Sequence, residues 1–475
     1  WIIENKLCSQ KKLQNIDSEI KKYVTEEKRL AWEYYQRPFL KSRDELLDIF
    51  NLFENDYIKN ELKKKVESLE EVNFSELLKI SRNTIYDLDS SNDIIKNKLL
   101  EWNKSKMKLL SEKYSTDLYS IDINDLLKKN FTPPAYDNPN EVDGRIILRD
   151  NFDELLKNHD NLFIFGEDVG KIGDVNQGLE GLQKKYGKNR VFDTGIREST
   201  IVGQAIGMAL RGLKPIAEIQ YLDYILYALQ ILSDDVATMS YRTHGRQKAP
   251  IIIRTRGHRL EGIWHAGSPL GGMINFLRGI LILTPRNMTK AAGFYNSLVK
   301  LDQPAIVIEP LNGYRTKEKI PSNLGKLETP IGEVDIIKKG KDLTIISYGS
   351  TLNIVEKVGQ KLLDYDIDCE IIDLQSLIPF DISHRIKKSV EKTNRILIVD
   401  EDMPGGASSY ILQELLNTQK IYNKLDSEPN LLTAKEHRPP YSSDGDYSSK
   451  PSFEDIFEKV YEIMNEVDPN KYSNI

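Results

Sequence analysis

No glycine occurs in the first 143 residues, and all 28 glycines of the chain lie from Gly144 onward. Glycine is the default residue for left-handed turns and for close approach of one backbone to another. A segment of this length without any has little to build with except helices joined by polar turns. The residues agree: up to about residue 130 the chain is rich in Lys, Glu, Asn and Leu and reads as several charged helices, for example 42–53 and 56–72. Leu46, Leu47, Ile49, Phe50 and Phe53 recur there at helical spacing. Thr132-Pro133-Pro134 then marks a break, since proline cannot continue a helix and restricts the residue before it. Helical hairpins or a wrapping arm are expected, and nothing in the region has catalytic spacing.

From Val142 the pattern alternates. Short continuous apolar runs at 162–165, 215–219, 251–253, 280–283 and 305–308 read as strands buried on both faces. Helical stretches lie between them, at 198–210, 224–239 and 289–301. A second block of the same kind follows Pro321, with strands at 343–347, 369–374 and 396–399 and helices at 351–364, 384–392 and 409–416. The polar stretch 317–321 opens a linker between the blocks, and a last helix is expected from Phe453 to about Val467. The fold class expected is α/β: two successive parallel-sheet domains covered by helices, preceded by a helical arm. The expected divisions are 1–37, 38–141, 142–318 and 334–466.

Charge and cysteine content narrow the function. A net charge of −6 gives no reason to expect nucleic acid or an anionic membrane as partner. No apolar run reaches the roughly 18 residues of a membrane span. Two cysteines, Cys8 and Cys369, fit a reducing cytoplasm and provide neither a disulfide framework nor a cysteine-based zinc site. The chain starts at Trp1 without methionine, so a longer polypeptide continuing upstream is expected.

Ligands of open parallel sheets bind beyond the carboxyl ends of the strands. Those positions hold Glu167 and Asp168, then Asp193 to Glu198, then Gln220, Tyr221 and Tyr224, then a long loop through His258 to Trp264 and His265. Together these form a site-like inventory. Singly, each has a plain alternative. Glu198 could be a first-turn acid complementing the helix dipole. Tyr221 and Tyr224 could be core aromatics with satisfied hydroxyls, and His265 a hydrogen-bonded loop residue. Asp400-Glu401-Asp402 is expected to be a solvated strand end. Gly340, Gly349 and Gly359 form no dinucleotide fingerprint.

These loops, in this order, resemble the beta subunits of thiamine-diphosphate-dependent 2-oxo acid dehydrogenases. The resemblance rests on GEDVG at 166–170, RVFDTGIRESTIVG at 190–203, AIGMALRG at 205–212, PIAEIQYLDY at 215–224, IRTRG at 253–257 and WHAGSP at 264–269. Tyr348-Gly349-Ser350, IDLQSLIP at 372–379 and DEDMPGG at 400–406 extend it to about residue 425. Residues 1–37 are similar to the last helices of the family's alpha subunit, which implies a fused alpha–beta chain.

The resemblance implies thiamine diphosphate bound between alpha-type and beta-type halves. The diphosphate and its Mg2+ would be held by the alpha half, so no metal ligand is expected in this chain; Asp444-Gly445-Asp446 lacks the order of the family's metal motif. Glu198 falls on the carboxylate that hydrogen-bonds the aminopyrimidine nitrogen. Tyr224 falls on the aromatic that packs on the ring, with Ile196 and Gln220 in the same wall and Glu167 in support. His265 falls on the histidine beside the reacting carbon, where it would pass a proton during acyl transfer. The implied reaction is oxidative decarboxylation of a 2-oxo acid and reductive acylation of a lipoyl transacylase core, with homo-oligomers of the fused chain. Branched-chain 3-methyl-2-oxobutanoate is the first choice of substrate and pyruvate the second. Gly195 in place of a proline, Ala266-Gly267, and the segment 436–451 depart from the family pattern. Transketolase-type ketol transfer and a non-catalytic assembly subunit are the other readings.

Overall fold

The computed structural model describes residues 1–88, 92–137, 140–257, 269–440 and 442–472. It contains two compact units, 1–116 and 117–475.

The first unit is all helix: α1 (Gln10–Phe50), α2 (Asp56–Glu67), α3 (Phe74–Asp87) and α4 (Asp93–Tyr114). Side chains of Ser9, Asn55 and Asn73 accept backbone N–H bonds at the starts of α1, α2 and α3, as N-caps do. Leu46, Phe50, Leu62, Leu77, Leu99 and Trp102 form its core. Lys106 reaches Glu45 at 2.5 Å with its own side chain nearly sealed from water. The sequence pattern places a helix at 42–53, but α1 begins far upstream and runs for 41 residues, through Pro38 and across the expected division at 37. With no glycine to stop it, the helix continues; the missing proline N–H is its only interruption.

Among its described residues the second unit holds three sheets. Strands β1 (Glu141–Asp143), β2 (Leu162–Gly166), β3 (Val191–Asp193), β4 (Lys214–Tyr221), β5 (Ile252–Gly257), β6 (Leu281–Leu283), β7 (Ala305–Pro310) and β8 (Lys317–Lys319) fall in the first sequence block. The second block supplies β9 (Asp335–Lys338), β10 (Leu343–Ser347), β11 (Cys369–Asp373), β12 (Ser376–Ile378), β13 (Ile396–Val399) and β14 (Asn430–Leu432). A seven-stranded sheet runs β12-β6-β7-β5-β4-β2-β3 and a five-stranded sheet β14-β13-β10-β11-β9. All pairings within these two are parallel except β12 with β6 and β9 with β11.

Apolar strand runs are buried on both faces. Ala217, Ile219, Ile253 and Ile306 face one cluster, shared with Ile346 and Ile372 of the five-stranded sheet. Ile216, Ile252, Leu281 and Val307 face the other, beneath the helices Gly144–Asn158 and Met288–Leu298. Two placements differ from the sequence reading. The polar stretch at 317–319 is a strand, paired antiparallel with β1. Residues 376–378, expected to belong wholly to the second block, return to the edge of the first sheet. Short pieces of this kind carry too few residues to show periodicity.

Candidate cofactor half-site

Three strand ends converge. After β2 come Glu167 and Asp168, the latter in the left-handed region at φ 57. After β3, the Thr194 amide bonds Gly166 O at 2.9 Å, and Asp193 accepts from the Gly170 amide at 2.6 Å. These bonds fold the β3 loop onto the β2 loop. The helix Glu198–Leu210 then starts with Glu198 in its first turn, and no side-chain cap precedes it. After β4, Gln220 donates to Asp168 at 3.3 Å. Tyr224 follows on a short 3-10 turn, with its ring edge-on to Tyr221 at 5.8 Å.

The electrostatics tie these groups together. Burial raises the Glu167 carboxyl above the usual range, and the negative charges of Asp168 and Glu198 add to it. Burial also raises the Tyr224 phenol, helped by Tyr221, Glu167, Asp223 and Glu198. Glu167, Glu198 and Tyr224 therefore share one local field. Ile196 stands beside them, 76% exposed. An acceptor carboxylate at a helix start, an amide, a tyrosine ring and an exposed aliphatic side chain fit a flat, apolar-faced heterocycle with polar edges. Glu198, Glu167 and Tyr224 are thus brought within one another's influence, and Gln220 bonds the neighbouring Asp168; Ile196 lies two residues before Glu198. His265 lies outside the described residues.

Two features escaped the sequence reading. Behind the strand ends, Arg254, Arg256, Asp174, Glu218, Glu309, Tyr295 and Tyr314 form a cluster sealed from water. Its signal was present: two arginines directly after a buried apolar run must find partners. The second is the DEDMPGG turn. Asp400, Glu401 and Asp402 are buried, not a solvated strand end. The reason is β14, which extends the sheet past β13 and bonds the Asp400 amide through Leu432 O. Asp400 accepts from the Tyr348 hydroxyl and the Ser408 amide at 2.5 and 2.7 Å. Asp402 accepts from the Gly271 amide at 3.2 Å. The helix Leu270–Phe276, which starts just past the His265 segment, is thereby fastened to the second block.

Burial, then the charge of Asp400, raises Asp402 to about 7; burial raises Asp373 to about 6. Against an unfolded carboxyl at about 3.9, both groups hold protons more tightly when folded. Their stabilisation is full below about pH 4 and is lost as pH rises through the folded values. Asp402→Asn is accordingly expected to shrink the fall in melting temperature between pH 5 and pH 8, leaving the part due to Asp373 and the other carboxyls that burial raises. Superimposable profiles for the two proteins would refute the assignment.

Comparison with known proteins follows the same outline. Residues 140–317 match the family model described as transketolase, pyrimidine binding domain, and 332–450 match transketolase, C-terminal domain. A solved structure described as a split gene transketolase, inactive beta4 tetramer, has the same fold at a TM-score of 0.53 and 17% identity, covering 67% of this chain and 97% of that one. Fold and site thus define a transketolase-like α/β protein. Three relatives carry the name pyruvate dehydrogenase E1 component subunit beta. That of Acholeplasma laidlawii is 34% identical over 59% of this chain and 85% of its own. That of Bacillus subtilis is 35% identical over 55% and 80%, and that of Mesostigma viride 32% over 66% and 94%. The chain belongs to the family of E1 beta subunits of 2-oxo acid dehydrogenase complexes.

Among the described residues there is no cluster of three or more His, Cys, Asp or Glu suited to a metal, and no helix is long and apolar enough to cross a membrane.

Proposed function

We propose that this chain supplies the aminopyrimidine half of a thiamine diphosphate site in an E1 component that oxidatively decarboxylates a 2-oxo acid and acylates a lipoyl transacylase. The convergence of the loops after β2, β3 and β4, held by the Thr194–Gly166, Gly170–Asp193 and Gln220–Asp168 bonds, carries the reading. Pyruvate is the favoured substrate, because the relatives are named for it; it displaces the branched-chain acid as first choice. The diphosphate and Mg2+ fall to an alpha-type half, either a separate subunit or an upstream part of the same polypeptide whose tail is residues 1–37. A cytoplasmic setting goes with the two unpaired cysteines.

When bound, thiamine diphosphate supplies the electron sink that lets carbon dioxide leave a 2-oxo acid. The residues of this chain bind and orient it. The Glu198 carboxylate accepts a charge-assisted hydrogen bond from the ring nitrogen and so holds a proton there. Tyr224 and Ile196 cover the ring face and exclude water, and Gln220 and Glu167 complete the polar rim. His265 is proposed to carry a proton during acyl transfer.

The test is calorimetric titration of thiamine diphosphate with Mg2+ into this chain alone and into its assembly with an alpha-type half. Binding is expected only in the assembly. Tight binding by the chain alone would mean that a complete site exists here and would remove the half-site reading.

A further inference from the structure

Gln220 occupies an irregular step in the sheet. The β4–β5 register shifts between Ile219 and Tyr221, so Gln220 is the extra residue of a bulge. A bulge leaves backbone groups without ladder partners. Here the Gln220 carbonyl accepts instead from Arg256 Nη1 at 3.0 Å. Arg256 has three further partners: Glu218 at 2.9 Å, Asp174 at 3.4 Å and the Tyr314 hydroxyl at 3.1 Å from Nε. Its side chain is 1% exposed.

The bonds close on themselves. Arg256 holds the Gln220 carbonyl. The Gln220 side chain donates to Asp168 at 3.3 Å. The Asp168 carbonyl accepts from the Asp174 amide at 2.8 Å. Asp174 in turn forms an ion pair with Arg256 at 3.4 Å, and its carboxylate also receives the Asn176 and Gly178 amides at 2.6 and 3.1 Å. Asp168 and Asp174 both have positive φ, at 57 and 65, so neither lies in the broad allowed regions of a non-glycine residue. The loop keeps this shape because its bonds over-determine it.

We propose that Arg256 is a positioning residue for the cofactor wall, its guanidinium closing a four-residue ring that holds the Glu167–Asp168 corner against Gln220. The inference rests on the reading of this face as the aminopyrimidine half-site. A plain buried ion pair would need only Glu218 and Asp174. The bond to the bulge carbonyl is what couples the ion pair to the wall. It needs the fork of a guanidinium, which an ammonium does not provide.

Arg256→Lys keeps the charge and removes the fork. Hydrogen–deuterium exchange on the chain without cofactor is expected to show the Asp174 amide and the segment 167–175 opening about tenfold faster, with β7 unchanged; a factor of ten corresponds to about 1.4 kcal/mol. In the assembly with the alpha-type half, the dissociation constant for thiamine diphosphate should rise by a similar factor while kcat at saturation stays within about threefold. A lower melting temperature with exchange at 167–175 and cofactor affinity both unchanged would make Arg256 a core residue only and overturn the proposal. If Arg256→Lys does not fold, Gln220→Leu decides: it removes the side-chain bond to Asp168 that completes the ring, and unchanged exchange at 167–175 in that variant overturns the proposal equally. If the segment loosens but the wild-type assembly binds no thiamine diphosphate, the clamp positions nothing for that cofactor; the assignment then falls together with the half-site reading.

Discussion

Glu198→Gln is expected to lower 2-oxo acid decarboxylation by the assembled enzyme about 10²–10⁴-fold, the range for loss of a positioned proton-holding group. The substitution keeps size and hydrogen-bonding capacity and removes the charge. Two readings of Glu198 then separate by magnitude. A first-turn acid that only complements the helix dipole contributes about 0.3–1 kcal/mol of stability and nothing to turnover. A carboxylate that holds a proton at the ring nitrogen contributes to every catalytic cycle. Glu198 is the first residue of its helix and only half-buried, so the variant should fold, and its melting temperature should move by no more than a few degrees. Removing this charge also lifts one of the three influences that raise Glu167, after burial and Asp168, so any pH limb due to Glu167 should move toward lower pH. Steady-state rates with pyruvate across pH, with cofactor saturating, would check both effects. A variant that turns over like the wild type would leave Glu198 a first-turn acid and remove the central residue of the proposed site.

What could be read from the sequence divides along physical lines. Strands β2, β4, β5, β7, β10, β11 and β13 announce themselves because each is buried on both faces and carries a short apolar run. The site residues were legible for a related reason: polar side chains placed just after such runs must lie at the carboxyl edge of the sheet. The convergence of Glu167, Glu198 and Tyr224 required the order of strands β4-β2-β3, which periodicity does not encode. Strands β8, β9, β12 and β14 are edge or short pieces of three or four residues, and long-range pairing alone makes them strands. The burial of Asp400 and Asp402 was illegible for the same reason, since the strand that covers them was itself unseen. Arg254 and Arg256 are the opposite case. Their charges follow the apolar run 251–253 directly, within the buried strand β5, so the sequence already requires buried partners for them.

That requirement has a thermodynamic consequence. Arg254→Leu is expected to destabilise the second unit by about 3–5 kcal/mol, the usual cost of breaking a buried charge network by deleting one partner. Arg254 is fully buried. It bonds Glu309 at 2.9 Å, Asp174 at 2.8 Å, the Tyr314 hydroxyl at 3.0 Å, and Glu218, while its guanidinium lies 5.5 Å from the Phe152 ring centre. Leucine replaces the apolar stem without strain, yet leaves Glu309, Asp174 and Glu218 in one dry space with Arg256 as their remaining cation. Against a typical domain stability of about 5–15 kcal/mol, a loss of that size takes a large share. The sign of its pH dependence follows. In the native protein burial already raises Glu218, while the two arginines hold Asp174 low. Without Arg254 Glu218 should rise further and Asp174 should rise from its lowered value, so the folded variant takes up protons more readily than its unfolded chain and regains stability as pH falls. Urea unfolding of wild type and variant at pH 8 and pH 6 would measure this: a large gap in midpoint at pH 8, narrowed at pH 6. Arg254→Lys, which restores the charge without the planar fork, should fall between them. Equal midpoints for Arg254→Leu and wild type at both pH values would mean that the carboxylates find water or another cation. Arg254 would then add nothing to the stability of the second unit beyond its apolar stem.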